Sequence, residues 1–282
     1  IGTETPSARL TIQNNATSSS AFTIRDALGD TSLEIRAGTS TLYNVFVGVS
    51  AGANNTTGSV NTAVGLQAMY FNTTGSGNTA LGVNTLTSNI SGSGNNAIGQ
   101  DALQANITGD NNNAIGIHAL YSNTTGSYNV ANGFLSLKTN TTGIRNTASG
   151  AYSLFNNTSA TSTVAIGYGS AQGLADYSNQ GGTYLGYQSG FSADTGSDYN
   201  TFLGYSSGYG VTTGARNILL GQSTINDSQN QVTTGNNNIA IGNDVAVASP
   251  TANNQLNIGN LIYGTGLDGT GSTLSSGNVG IG

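Results

Sequence analysis

The chain has 282 residues, of which 6% are charged and 42 are Gly, a composition unlike that of ordinary enzyme domains, where about a quarter of residues are charged. Its net charge is −6, and the six basic residues (Arg9, Arg25, Arg36, Lys138, Arg145 and Arg216) are scattered, which excludes a positive face for nucleic acid or anionic membrane. The absence of Cys rules out disulfides and thiolate metal sites, and no run of about 18 apolar residues exists to span a bilayer.

Residues 1–43 read as a β-hairpin connector. The stretch ARLTIQ (8–13) and then AFTIRDALGDTSLEIRA (21–37) alternate apolar and polar residues, the latter around a turn at Leu28-Gly29-Asp30. The chain starts at Ile1 with no signal-like stretch, so it is expected to be an internal piece of a longer or processed protein.

Residues 44–263 are organised by a repeat, N-x-A-[VIL]-G. Its closing glycines are Gly48, Gly65, Gly82, Gly99, Gly116, Gly133, Gly150 and Gly167, with all seven intervals equal to 17. The series continues at Gly186, Gly204, Gly221, Gly242 and Gly259, at intervals of 19, 18, 17, 21 and 17. Asn stands four before the glycine at Asn61, Asn78, Asn95, Asn112, Asn129 and Asn146, and Ala two before it from Ala63 to Ala165. Leu or Met stands four after it, from Met69 to Leu154, and a corner Asn recurs at Asn55, Asn72, Asn89, Asn106, Asn123, Asn140 and Asn157. The regular repeats cover 44–167, a Tyr-rich irregular region covers 168–235, and terminal coils cover 236–263.

A period this short, built from Asn, Gly, Thr and Val, predicts an all-β parallel β-solenoid, or β-roll, of about 13 coils and roughly 60 Å. Each unit reads as a short strand, a Gly turn, a second short strand carrying the Leu, and an Asn-Thr-Thr-Gly-Ser corner. The Asn61 series is placed to form side-chain amide ladders from coil to coil. Along the strand, Asn61, Ala63 and Gly65 share one face and Thr62 and Val64 the other. About two large apolar residues per coil make a thin core, so the small Ala and Gly face is expected to approach identical chains in a homotrimer, with end-to-end filament formation also open.

Little in the chain suggests catalysis. His118 stands alone, the acidic residues never take a calcium-loop spacing, and Gly-x-Gly patterns follow from abundance of Gly; no catalytic, cofactor or metal residue is expected. The corner Asn residues match the N-x-[ST] glycosylation pattern, but Asn-Thr-Thr-Gly is first of all a good corner. Tyr168, Tyr177, Tyr187, Tyr199, Tyr205 and Tyr209 have two readings: a contact surface suited to adaptable binding, or a widened core in which Tyr184 and Phe202 replace the motif Ala. Thr57, Thr74, Thr108, Thr125 and Thr142 recur at one coil position, which gives an ice- or mineral-binding solenoid as the alternative function, although Ser91 interrupts the row and the row lies at a corner rather than along a flat strand.

Residues 264–282 are a Gly/Ser/Thr-rich linker and a junction strand. Joining the C-terminal NVGIG to the N-terminal IGTETPSARLTI gives one continuous junction, so the chain is expected to be one unit of a tandem array or a fragment ending before a similar connector. The N-x-A-[VIL]-G-x-x-A-L repeats of 44–259 resemble the left-handed β-roll head repeats of trimeric autotransporter adhesins and, more closely, the repeat regions of phage tail-fibre-like and bacterial surface-fibre proteins. In those proteins NVGIGT-x-x-P junctions and hairpin connectors commonly precede an intramolecular chaperone domain. The adhesin head repeat is shorter than this one, which leaves corner geometry and handedness open. The resemblance implies a homotrimer outside the cell, on a cell surface or a virion fibre. It also implies a non-catalytic spacer or attachment role, with surface glycans or a host or cell receptor as partners; a phage tail fibre or spike with receptor binding is a further alternative.

Overall fold

A computed structural model of the chain describes residues 22–25, 31–37, 42–223, 232–266 and 277–281, the first two stretches through their backbone. The expected strand at 8–13, the turn at 28–30 and most of the loop at 264–277 lie outside the described residues. Those described form seventeen strands and no helix. A hairpin opens the series: β1 (Phe22–Arg25) pairs antiparallel with β2 (Thr31–Ala37), Phe22 opposite Ile35.

Thirteen three-residue strands follow. They are β3 (Val45–Val47), β4 (Thr62–Val64), β5 (Thr79–Leu81), β6 (Asn96–Ile98), β7 (Asn113–Ile115), β8 (Val130–Asn132), β9 (Thr147–Ser149), β10 (Val164–Ile166), β11 (Thr183–Leu185), β12 (Thr201–Leu203), β13 (Ile218–Leu220), β14 (Ile239–Ile241) and β15 (Leu256–Ile258). Each pairs in parallel with the next, one repeat later and in register, so Ala63 lies opposite Ala80, Ala80 opposite Ala97 and Ala165 opposite Tyr184. These steps make a parallel β-solenoid of about twelve turns. The sheet is continued antiparallel at both ends, by β2 on β3, and by β16 (Ile262–Thr265) on β15 with β17 (Asn278–Ile281) beyond it.

Stacking at this distance dictates the closing glycine. Gly116 has φ +135°, and a Cβ there would lie 2.5 Å from the Gly133 carbonyl oxygen of the next coil. Only a residue without a side chain allows that conformation and that approach together.

The segment after the glycine departs from expectation, because it is not a second strand. Its backbone alternates in hand: His118 and Leu120 have φ of 56° and 52°, as do their counterparts Asp101 and Leu103 at 56° and 52°. The alternation sends successive amides in different directions. His118 N donates to Gln100 O of the coil before (3.0 Å), Ala119 N to Gly116 O of its own coil (3.2 Å), and Leu120 N to Ser136 O of the coil after (3.0 Å). A left-handed conformation costs an L-residue about 1–2 kcal/mol, and here the inter-coil hydrogen bonds it permits offset that cost.

The core also inverts the expected sides. Ala63, Ala80, Ala97, Ala114, Ala131, Ala148 and Ala165 are fully buried inside the single chain, with Met69, Leu86, Leu103, Leu120, Leu137 and Leu154. The aliphatic residue beside the closing glycine points outward, as Val64 (38% exposed) and Ile166 (40%) show. The two walls of a coil are too close for a large residue on both, so a large one faces a small one. Where the strand carries an aromatic in place of Ala, the facing Leu is replaced by Gly: Phe46 with Gly52, Tyr184 with Gly190, Phe202 with Gly208. A Cβ added at Gly52 would come within 2.6 Å of the Phe46 ring, and one at either of the other two glycines would come closer still to its ring. Core volume is thus held nearly constant from coil to coil while its shape changes.

Candidate functional surfaces

Two buried columns of Asn fasten the regular coils. In the first, the Oδ1 of each Asn accepts the backbone N–H of the next: Asn61 from Asn78 (2.9 Å), Asn78 from Asn95 (2.9 Å), Asn95 from Asn112 (2.9 Å), Asn112 from Asn129 (3.0 Å) and Asn129 from Asn146 (3.0 Å). Each Nδ2 donates to a corner carbonyl one coil on, as Asn112 does to Gly126 (2.8 Å), and later members also bond amide to amide (Asn112 Nδ2 to Asn95 Oδ1, 3.1 Å). Every polar side-chain atom of this column thus has a partner, which removes the penalty of about 1–3 kcal/mol for leaving one unmet.

The second column is formed by the corner Asn residues. Asn72 donates to Asn55, Asn89 to Asn72, Asn106 to Asn89, Asn123 to Asn106 and Asn140 to Asn123, at 2.7–2.8 Å. Sequence reasoning saw their period but gave them a corner role or a glycan-acceptor role, not a ladder. Asn72, Asn89, Asn106, Asn123, Asn140 and Asn157 are fully buried, with Nδ2 engaged, so the folded coil does not offer them as glycan acceptors. This ladder ends at Asn157, whose Nδ2 turns away to Asn179 Oδ1 (2.8 Å) and leaves Asn140 Oδ1 buried without a partner. The break falls where the spacing first departs from its regular interval.

The outer face of the strands is directed at solvent. It carries three residues per coil, standing three and one before the closing glycine and one after it. In none of the thirteen coils is any of these three positions charged. Val45, Val64, Leu66, Val83, Ile117, Phe134 and Ile166 are exposed there in the regular part, and Leu185, Leu203 and Ile218 further on. Lys138, Arg145 and Arg216 stand elsewhere on the coil, Lys138 over the Phe155 ring (5.3 Å) and Arg216 over Tyr199 (5.7 Å).

The tyrosines singled out on sequence divide among three environments. Tyr168, Tyr187 and Tyr205 stand just after successive closing glycines and stack ring on ring, at 5.5 Å and 12° for the first pair and 5.1 Å and 8° for the second. Tyr209 stacks on Phe191 (4.9 Å, 2°), and Tyr199 is an exposed corner residue. Tyr177 is not on the surface at all: it is buried, and its hydroxyl donates to Ala171 O. Burial raises the Tyr177 phenol far above its ordinary value of 10.0, and the nearby Tyr184 adds to the rise. Burial likewise pushes Tyr184 up to about 12, although Asn200, Asn179 and Ser197 hydrogen bonds pull the other way. The Tyr184 hydroxyl accepts from Asn179 Nδ2 (3.0 Å) and donates to Ser197 O (3.2 Å). An insertion without repeat phase gave sequence reasoning no signal for the side on which Tyr177 falls.

His118, alone in the sequence, lies with Nε2 3.3 Å from Asp101 Oδ2, beside the Tyr121 ring. Gln100 and Gln104 also donate to that carboxylate. Among the described residues no group of three or more acidic or His side chains is gathered to hold a metal. Thr57, Thr74, Thr108, Thr125 and Thr142 are exposed, whereas the preceding Thr residues at 56, 73, 124 and 141 turn their hydroxyls onto carbonyls of the next coil. Among the described residues no helix is long and apolar enough to cross a membrane. Compared with known protein families, curated proteins and solved structures, the chain matches none.

Proposed function

We propose that this chain is a structural, non-catalytic segment of an extracellular homotrimeric fibre, acting as spacer and surface attachment on a cell or virion. The observation that carries the reading is the uncharged outer face. Twelve coil steps make it about 58 Å long, and five residues of extended chain make it about 16 Å wide, so each copy offers on the order of 900 Å². A stable interface needs about 800 Å² per partner, and an uncharged face of this size with Val, Ile, Leu and aromatic side chains exposed along it is suited to burial against another copy. The approach between copies therefore uses the Val64 and Ile98 side of the strand, because the Ala side is already filled within the chain. Three copies and the extracellular setting rest on the resemblance of the repeats to surface-fibre and adhesin heads. Surface glycans or a cell receptor are the partners such a fibre would meet.

Light scattering of the purified chain tests this. A mass near three times that of the 28.3 kDa chain is expected. Ile98→Lys with Ile115→Lys should reduce it to a single chain with the circular dichroism unchanged. A wild-type monomer would overturn the trimer. The exposed Thr column favours one other reading, an ice- or mineral-binding solenoid; thermal hysteresis lost in Thr108→Val with Thr125→Val would support it, and no hysteresis in the wild type would remove it.

A further inference from the structure

The Tyr168, Tyr187 and Tyr205 column belongs to the outer face proposed to meet other copies, and this inference rests on that face being open in the single chain; the column carries a chemistry that packing alone does not use. These phenols repeat one coil apart with their rings nearly parallel. In the single chain they are 47%, 41% and 46% exposed, so a small oxidant reaches them before copies meet on this face. Of the other ring pairs nearby, Tyr209 with Phe191 and Tyr184 with Phe202 each join a Tyr to a Phe. A phenylalanine ring has no hydroxyl to lose a proton and an electron, so those pairs lack the chemistry that the exposed column has. Tyr152 meets Tyr168 at 5.6 Å but inclined by 64°, not face to face.

We propose that this column is a site of oxidative tyrosine coupling, in which a one-electron oxidant of the peroxide and peroxidase class joins Tyr187 to Tyr168 or to Tyr205 within one chain. Each of two phenols gives up one electron and one proton, and the two phenoxyl radicals combine through ring carbons ortho to oxygen. Each joined carbon then passes its hydrogen to the ring oxygen as the ring regains aromaticity. Two electrons and two protons leave in total, and hydrogen peroxide takes them up to become two waters. The link would close a loop one coil long and fasten neighbouring coils covalently. Its place is telling: it lies just past the point where the corner Asn ladder ends and Asn140 Oδ1 is left unmet. The first ladder is interrupted there as well, with Thr163 and Gly182 in place of Asn. A chain without Cys has no disulfide to staple these coils, and a covalent cross-link stabilises by restricting the unfolded chain.

The full chain, as wild type and as the Ile98→Lys with Ile115→Lys variant that leaves this face open, would be treated with hydrogen peroxide and a haem peroxidase, and separately with a photo-activated ruthenium bipyridyl complex and persulfate. The expected result is dityrosine fluorescence, loss of two hydrogen atoms from the intact mass, and a linked peptide pair containing Tyr187, with the denatured chain still migrating as a monomer. Tyr187→Phe keeps the ring stack, and therefore the fold, but should bring the signal to background. Tyr199→Phe should leave it unchanged, and Tyr205→Phe should leave only the link to Tyr168. Undiminished coupling in Tyr187→Phe, links made mainly between chains, or links mapped mainly to Tyr152, Tyr199 or Tyr209 would overturn the proposal. No coupling in the Ile98→Lys with Ile115→Lys variant, where this face is open, would likewise overturn the proposal, while the mass measurement decides the trimer independently.

Discussion

The coils of residues 44–167 and those of 168–223 solve one problem in two ways. In the first group each coil repeats the same side chains at the same places, so identical neighbours bond to one another: Asn123 to Asn106, Ala114 against Ala131, Leu120 beside Leu137. In the second group the intervals are uneven, amide ladders are interrupted, and aromatic rings take over. Tyr184 and Phe202 fill the interior edge to face at 5.4 Å, while Tyr168, Tyr187 and Tyr205 stack outside. Amide ladders demand strict periodicity because each donor must meet one acceptor at fixed length. Stacked rings tolerate an inserted residue or two, since dispersion between flat faces changes slowly with offset. The difference teaches that irregular coils in this chain are locked by different means rather than left loose.

The sharpest way to break the comparison is to convert one type of coil into the other. Ala114→Phe alone overfills a regular coil and is expected to destabilise it by about 3 kcal/mol. Leu120→Gly alone opens a cavity worth about 3 kcal/mol, reduced by about 1 kcal/mol because Leu120 sits at φ 52°. Together they recreate the Phe202 and Gly208 pairing, and the double variant should lose less than about 1 kcal/mol, a strongly non-additive cycle. Denaturant melting of the four proteins measures it; additive losses would show that the two walls do not trade volume.

A smaller effect separates the groups by pH. The Tyr184 phenol ionises near 10 when unfolded and is pushed up to about 12 in the fold, so the folded state holds its proton more tightly. The stability this represents, on the order of 2–3 kcal/mol, is fully present below pH 10 and is lost as pH rises towards 12. Tyr177, raised in the same direction, extends the loss to still higher pH. Tyrosinate absorbance should show two phenols that titrate only as the aromatic coils unfold. All thirteen ionising reversibly near 10 would contradict the burial of this pair.

Much of this was legible in the sequence. The even interval between closing glycines pointed to the solenoid, and Asn at a fixed phase pointed to the first ladder. The inside and outside of the strand were not legible by counting large residues, since Ala63 is inside and Val64 outside although Val is the more apolar. What decides is the width of the coil, which sequence displays only through the exchange of Ala and Leu for an aromatic and Gly. That exchange is visible at Phe46 and Gly52, Tyr184 and Gly190, and Phe202 and Gly208 once the two positions are known to face each other. The left-handed backbone at Leu103 and Leu120 had no signal, because Leu is a residue that ordinarily avoids it. The second ladder was hidden because Asn-Thr-Thr-Gly is also a good turn.

The most direct test of the contrast is amide hydrogen exchange on the native chain, read residue by residue. The account predicts that the backbone N–H groups of Asn78, Asn95, Asn112, Asn129 and Asn146, each bonded to an Asn side chain of the neighbouring coil, are uniformly the slowest. It also predicts that protection drops across residues 157–182, Thr163 excepted because its N–H still meets Asn146 Oδ1 (3.0 Å), and recovers at Thr183 and Thr201 under the aromatic core and at Asn217, whose N–H meets Asn200 Oδ1 (2.8 Å). Protection that declined smoothly from one end of the solenoid to the other, with no step at the ladder break, would contradict it.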